Sequence, residues 1–136
     1  MSTTRRRPID IQTLAGRGAG ALAIALVVNL ALGWVALSQD LVESTEFFQY
    51  PAIVVWTLLG MGGATIVYGV LTRRFARPDR TFLRVAAAVL VLSFVPDIGL
   101  ALTAESVTTS EALGLMVLHV PPAIVAVLAL PETFRE

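Results

Sequence analysis

The chain has no cysteine and no lysine, a single histidine, and only 15% charged residues among 136. The missing cysteine excludes disulfide staples, iron–sulfur clusters and thiolate metal sites. It also excludes the thiol exchange performed by some four-helix membrane oxidoreductases. The scarcity of charge excludes an ordinary soluble domain, in which about a quarter of residues are ionisable. The use of arginine alone as the basic residue, beside abundant alanine, matches the codon bias of a GC-rich prokaryotic genome. There is no glycine-rich phosphate loop and no basic stretch interleaved with aromatics, so nucleic acids and nucleotides are not expected partners.

What the chain has in quantity is apolar sequence, 56% of the total. Four runs are almost free of charge: Gly18 to Gln39, Phe47 to Thr72, Val85 to Ala104 (broken only by Asp97) and Ala112 to Pro131. At ~1.5 Å per helical residue each is long enough for a ~30 Å hydrocarbon layer. The prediction is an all-α, integral membrane four-helix bundle, a single transmembrane domain over 1–136. Its spans fall at 17–38, 51–72, 81–103 and 111–130, after a basic arm at 1–16. So little chain remains outside the spans that a separate catalytic domain is excluded, and the expected protein is not an enzyme.

Charge is balanced in sum and segregated in space. Arg5, Arg6, Arg7 and Arg17 precede the first span, Arg73, Arg74, Arg77, Arg80 and Arg84 lie between the second and third, and Arg135 is in the tail. The first connection carries only Asp40, Glu43 and Glu46, and the third only Glu105 and Glu111. Because arginine collects on the cytoplasmic side, the expected topology is up-down-up-down in the cell membrane with both termini cytoplasmic. The same asymmetry argues against a dual-topology transporter of the small multidrug type. A signal-peptide reading of the first span, with Ala36-Leu37-Ser38 as cleavage site, competes with the membrane-helix reading and leaves the orientation unchanged. The five arginines of the middle connection suit anionic lipid phosphates, so membrane lipids are the expected partners. In Arg77-Pro78-Asp79-Arg80, Pro78 stops the second helix and Asp79 is expected to cap the third.

Small residues predict how the spans pack. Ala21, Ala25, Asn29 and Gly33 form one stripe on the first span, and Trp56, Gly60, Ala64 and Tyr68 form another on the second. In lipid, apolar burial does not drive association, so helices approach through small residues and polar groups.

Two ionisable residues interrupt the spans: Asp97 in Ser93-Phe94-Val95-Pro96-Asp97 and His119 in Leu118-His119-Val120-Pro121-Pro122. A charge at membrane depth costs at least ~2.5 kcal/mol, so such residues turn inward, pair, and mark sites. Counted from the acidic connections, Asp97 lies about 9 Å deep, His119 about 12 Å, Asn29 about 13 Å, and Trp56 or Thr57 about 9 to 10 Å. All four helices therefore bring a polar or amphipathic group to one level. Pro96 frees the carbonyl of Leu92, and Pro121 and Pro122 free those of Val117 and Leu118, to accept hydrogen bonds, water or a cation.

Three readings of that layer compete. In one, Asp97 and His119 form a buried pair that only fixes helix order. In another they form a proton, ion or small-ligand site open to the outside, with Asn29, Trp56, Thr57 and Ser93 around them. In the last, His119 ligates a metal or haem, with Met61 or a second protomer's histidine as axial partner. A lone histidine lacks the ligand cluster a metal needs, so no metal or cofactor is expected. Ser93, Asp97 and His119 hold the residue types of a catalytic triad, but no nucleophile elbow is present and Ser93 shares the helix of Asp97. The rival functional class is a structural or accessory subunit, a homo-oligomer or part of a larger complex, docking through Phe47, Phe48 and the glycine-rich second span.

Arg74-Phe75-Ala76-Arg77-Pro78 with Thr81-Phe82, then Ser93-Phe94-Val95-Pro96-Asp97, then Met116 with His119, resemble a family of short four-span membrane proteins. That family, a domain of unknown function, occurs in GC-rich actinobacteria and halophilic archaea. The resemblance covers nearly the whole chain and implies a fold without an activity.

Overall fold

A computed structural model describes residues 9–132. Arginines 5 to 7 and 135, with the first half of the basic arm, lie outside the described residues. Four helices follow in order, α1 (Ile11–Ser38), α2 (Tyr50–Arg74), α3 (Pro78–Thr103) and α4 (Thr109–Ala129), and no strand occurs among the described residues. Each helix is long and apolar enough to cross a membrane, which makes this a multi-pass membrane protein.

The helix ends follow local chemistry. Asp10 caps α1 by accepting from the backbone N–H of Gln12 and Thr13, so the helix begins six residues before the expected start at 17. The last six residues of the expected arm are therefore helical, and Leu14 among them fills the space above Gly69, while Ile9 just before the cap is buried. α1 stops in a Schellman turn. Asp40 takes a left-handed φ of 53°, and the N–H of Leu41 reaches back to the carbonyl of Ala36 at 2.9 Å. Pro51 and Pro78 sit in the first turns of α2 and α3, where their missing N–H costs nothing. Asp79 is thus already inside α3 rather than capping it, because Pro78 is pre-shaped for the first helical position and Arg77 takes the cap. Thr108 caps α4 by accepting from Glu111 N–H.

The contacts of α1 run in opposite order along α2 and along α4. Against α2, Leu14 of α1 meets Gly69, Gly18 meets Thr65, Asn29 meets Thr57 and Gly33 meets Ile53. Against α4, Arg17 of α1 donates to the Leu130 carbonyl and Asn29 to that of Leu118. α2 meets α3 through an edge-to-face pair of Tyr68 and Phe82, with the Tyr68 hydroxyl donating to Asp79 at 2.8 Å. α2 and α4 meet across the middle, while α1 and α3 do not pack on each other.

Burial divides the interior into three storeys. At the arginine-rich end Ala21, Ala25, Met61, Tyr68, Leu71, Phe82, Ala126 and Leu130 form one apolar cluster. At the acidic end Val42, Phe48, Ile53 and Leu118 form a second. Between them lie the buried polar residues Asn29, Thr57 and Asp97. The outside is built of large apolar side chains such as Val27, Ile66, Val91 and Leu102, as a lipid solvent demands.

The small-residue stripe expected on α1 is the one observed: Gly18, Ala21, Ala25, Asn29 and Gly33 are all buried. The stripe expected on α2 holds only in its second half, where Tyr68 is buried and Ala64 packs against the core. The inward line of α2 is Ile53, Thr57, Met61, Tyr68, Gly69 and Leu71, whereas Trp56 and Gly60 face out. The reason is physical: lipid is as apolar as a tryptophan ring, so the bulky residue gains nothing by turning inward, and the hydroxyl of Thr57 does.

Candidate functional site

The side-chain amide of Asn29 anchors the centre. Its Nδ2 donates to Thr57 Oγ1 at 2.9 Å and to the Leu118 carbonyl at 3.0 Å. The Thr57 hydroxyl in turn donates to Ile53 O at 2.7 Å. Pro122 has no N–H to offer the carbonyl four residues back, so Asn29 supplies the donor that α4 lacks at Leu118. α3 and α4 nevertheless continue as helices through Pro96 and through Pro121 and Pro122. The prolines remove single bonds without breaking the spans.

The second polar group lies between α3 and α4. His119 Nδ1 is 2.8 Å from the carbonyl of Leu115 and 3.3 Å from Asp97 Oδ2. Both neighbours are acceptors, so Nδ1 carries a hydrogen and gives it to Leu115, the better aligned of the two. Asp97 Oδ2 accepts no hydrogen bond and stays at ion-pair distance. Phe94 stands edge-on to the imidazole, with ring centres 6.4 Å apart. The carboxylate side chain is 7% exposed and the imidazole 37%. The buried member of the pair is thus the acid, and the histidine reaches the bundle surface.

The expected layer is therefore two groups rather than one network. Asn29 and Thr57 serve the junction of α1, α2 and α4, and Asp97 and His119 serve the α3–α4 seam. Trp56 belongs to neither, being 69% exposed. Ser93 donates to the Leu90 carbonyl at 2.6 Å and has no bond to Asp97 or His119. No cluster of three or more potential metal-ligating side chains occurs among the described residues. Arg73, Arg74, Arg77, Arg80 and Arg84 are all exposed around the α2–α3 connection.

Three polar contacts escaped sequence reasoning. Glu111, read as a connecting acid, is fully buried. The Thr45 hydroxyl, held by the N–H groups of Phe47 and Phe48, donates to Glu111 Oε1 and fastens the first connection onto α4. The Thr108-x-x-Glu111 spacing of a capping box marks the start of α4, but nothing local points to Thr45. Tyr68 with Asp79, and Arg17 with the Leu130 carbonyl and Glu132, tie the opposite end.

Two cavities lie elsewhere. One of about 710 Å³ at the acidic end is lined by Trp34, Asp40, Glu43 and Tyr50, among others. The other, about 250 Å³ and apolar, lies between α1 and α2 along Ala19, Leu22, Gly62 and Ile66. Neither is lined by Asp97 or His119.

No curated protein and no solved structure matches this chain. Residues 9–136 match the model of a family of unknown function (DUF6069), and the chain belongs to that family.

Proposed function

We propose that this is a non-catalytic protein of the cell membrane whose Asp97–His119 pair forms a site for a proton, an ion or a small ligand. The observation that carries the reading is the incomplete bonding of the pair. Asp97 Oδ2 is buried without a hydrogen bond, and His119 engages only one ring nitrogen. Asn29 Oδ1 and Glu111 Oε2 are likewise buried without a hydrogen bond, but of these oxygens only that of Asp97 stands beside a titratable ring, so only there can a proton or ligand relieve the cost of an unsatisfied polar group in hydrocarbon. The arginine segregation supports an up-down-up-down bundle with both termini cytoplasmic, which puts the pair in the outer half of the bilayer. It also supports anionic lipid contacts by Arg73, Arg74, Arg77, Arg80 and Arg84.

Because the chain has one histidine, isotope-labelled histidine in nanodiscs reports this site alone. Ring nitrogen signals that move between about pH 5 and 9, and move differently in Asp97→Asn, are expected. A ring held in one form across that range in both proteins overturns the reading.

One observation favours the accessory-subunit alternative. Gly60, Gly62 and Gly63 face outward, and a Cβ on any of them would meet nothing within 4 Å. A glycine-lined face of that kind suits another transmembrane helix.

A further inference from the structure

Resting on the reading of Asp97 and His119 as a site, we propose that its ligand is an uncharged, lipid-dissolved alcohol or phenol. Its hydroxyl meets His119 Nε2 from the side of the bundle rather than from the aqueous face.

The direction of approach follows from what is closed and what is open. On α4, Leu115, Ala112 and Glu111 stack between His119 and the acidic end; Ala112 and Glu111 are buried, as is Val107 in the connection before them. Phe48 and Val42 press against Gly114, where an added Cβ would lie 2.9 and 3.1 Å from them. That apolar plug covers the acidic end. The seam itself is thinly covered: α3 buries only Pro78, Phe82 and Asp97 along its length, the residues one turn either side of Asp97 on its own face (Ser93, Phe94, Leu100 and Ala101) are only half-buried, and Ile98 beside it is exposed. The imidazole side chain is 37% exposed, and with Nδ1 turned inward to Leu115 and Asp97 its unbonded nitrogen, Nε2, lies on the edge away from them.

The ligand chemistry follows from electroneutrality. A net charge at this depth is expensive, so the pair is occupied either as carboxylate with imidazolium or as carboxylic acid with neutral imidazole. Nδ1 carries hydrogen in both. Nε2 donates in the first and accepts in the second. A hydroxyl both donates and accepts on a single atom, so it satisfies Nε2 in either state without turning the ligand. A ketone, ester or ether oxygen serves only one of them. A free aqueous ion would have to shed its hydration and cross the plug.

The test uses the full chain in nanodiscs with labelled histidine, titrated with octylphenol and, separately, with its methyl ether, which keeps the ring and tail but loses the O–H. A saturable shift of the Nε2 signal with octylphenol and none with the ether is the expected result. It should weaken at least several-fold in Asp97→Leu, which removes the electrostatic partner, while helix content is unchanged. Equal, unsaturable shifts with both probes would show simple partitioning and overturn the proposal. So would a shift produced by zinc chloride added to the water, which would show access through the aqueous face. If the ring responds to pH but not to octylphenol, the ligand assignment fails and the proton or ion site stands; if it responds to neither, both fail.

Discussion

Asn29 Nδ2 sits 3.0 Å from the carbonyl of Leu118, the one backbone acceptor on α4 whose helical donor is replaced by Pro122. A side chain on the first helix thus completes the backbone of the fourth, and the same nitrogen holds Thr57 on the second. This makes Asn29 the structural keystone and sets it apart from Asp97, its neighbour in depth.

The consequence for stability is a coupling between residues far apart in sequence. Asn29→Leu should destabilise the bundle by about 1–2 kcal/mol, the upper range for interhelical hydrogen bonds in membranes. In a Pro122→Ala background, where α4 regains its own donor at Leu118, the same change should cost measurably less. Reversible unfolding of the four proteins of this cycle in mixed micelles checks it, and strict additivity would dissociate Asn29 from the proline.

Asp97 should behave oppositely. Its Oδ2 accepts no hydrogen bond, so Asp97→Leu removes a buried carboxylate without stranding a donor. Its effect on unfolding should stay below about 1 kcal/mol. A loss comparable to that of Asn29→Leu would mark the pair as architectural.

The glycines divide by what surrounds them. A Cβ on Gly18 would lie 2.7 Å from both Cγ2 and Oγ1 of Thr65, a stiff β-branched residue whose hydroxyl is committed to the Met61 carbonyl. Gly18→Ala should cost about 1–3 kcal/mol. Gly62→Ala, which meets open space, should change folding by less than about 0.5 kcal/mol. Under the accessory-subunit reading, Gly62→Phe should instead lower the apparent mass in detergent without altering helix content.

At the acidic end Thr45→Val removes the hydroxyl that joins Phe47 N–H, Phe48 N–H and Glu111. Amide exchange at Phe47 and Phe48 should accelerate at least about tenfold, reflecting roughly 1–2 kcal/mol of lost local stability, while α2 stays protected. Unchanged exchange would show that Phe48 packing alone holds the connection.

Orientation can be read directly because the chain has no cysteine to remove. A membrane-impermeant maleimide added to intact cells should label Ser44→Cys and leave Ala76→Cys unlabelled until the cells are opened. The reverse pattern would invert the bundle.

The sequence by itself determined the number and order of the helices, though not the early start of α1, because apolar runs of membrane-spanning length and the near absence of charge within them admit few other folds. It also determined the inward stripe of α1, where an asparagine among small residues can face only another helix, and it exposed Asp97 and His119 as polar groups at one depth. Tertiary structure decided the rest. Spacing on α2 could not tell which side of the helix faces lipid, since in a bilayer Trp56 is as well placed outside as in, and only the reach of Asn29 to Thr57 chooses the rotation. Nor could depth alone say which polar groups meet: the diagonal closeness of α2 and α4 keeps α1 from α3, so Asn29 and Asp97 share a level without sharing a bond. The capture of Glu111 by Thr45 depends on how the first connection folds over α4, a contact across 66 residues that no local pattern encodes.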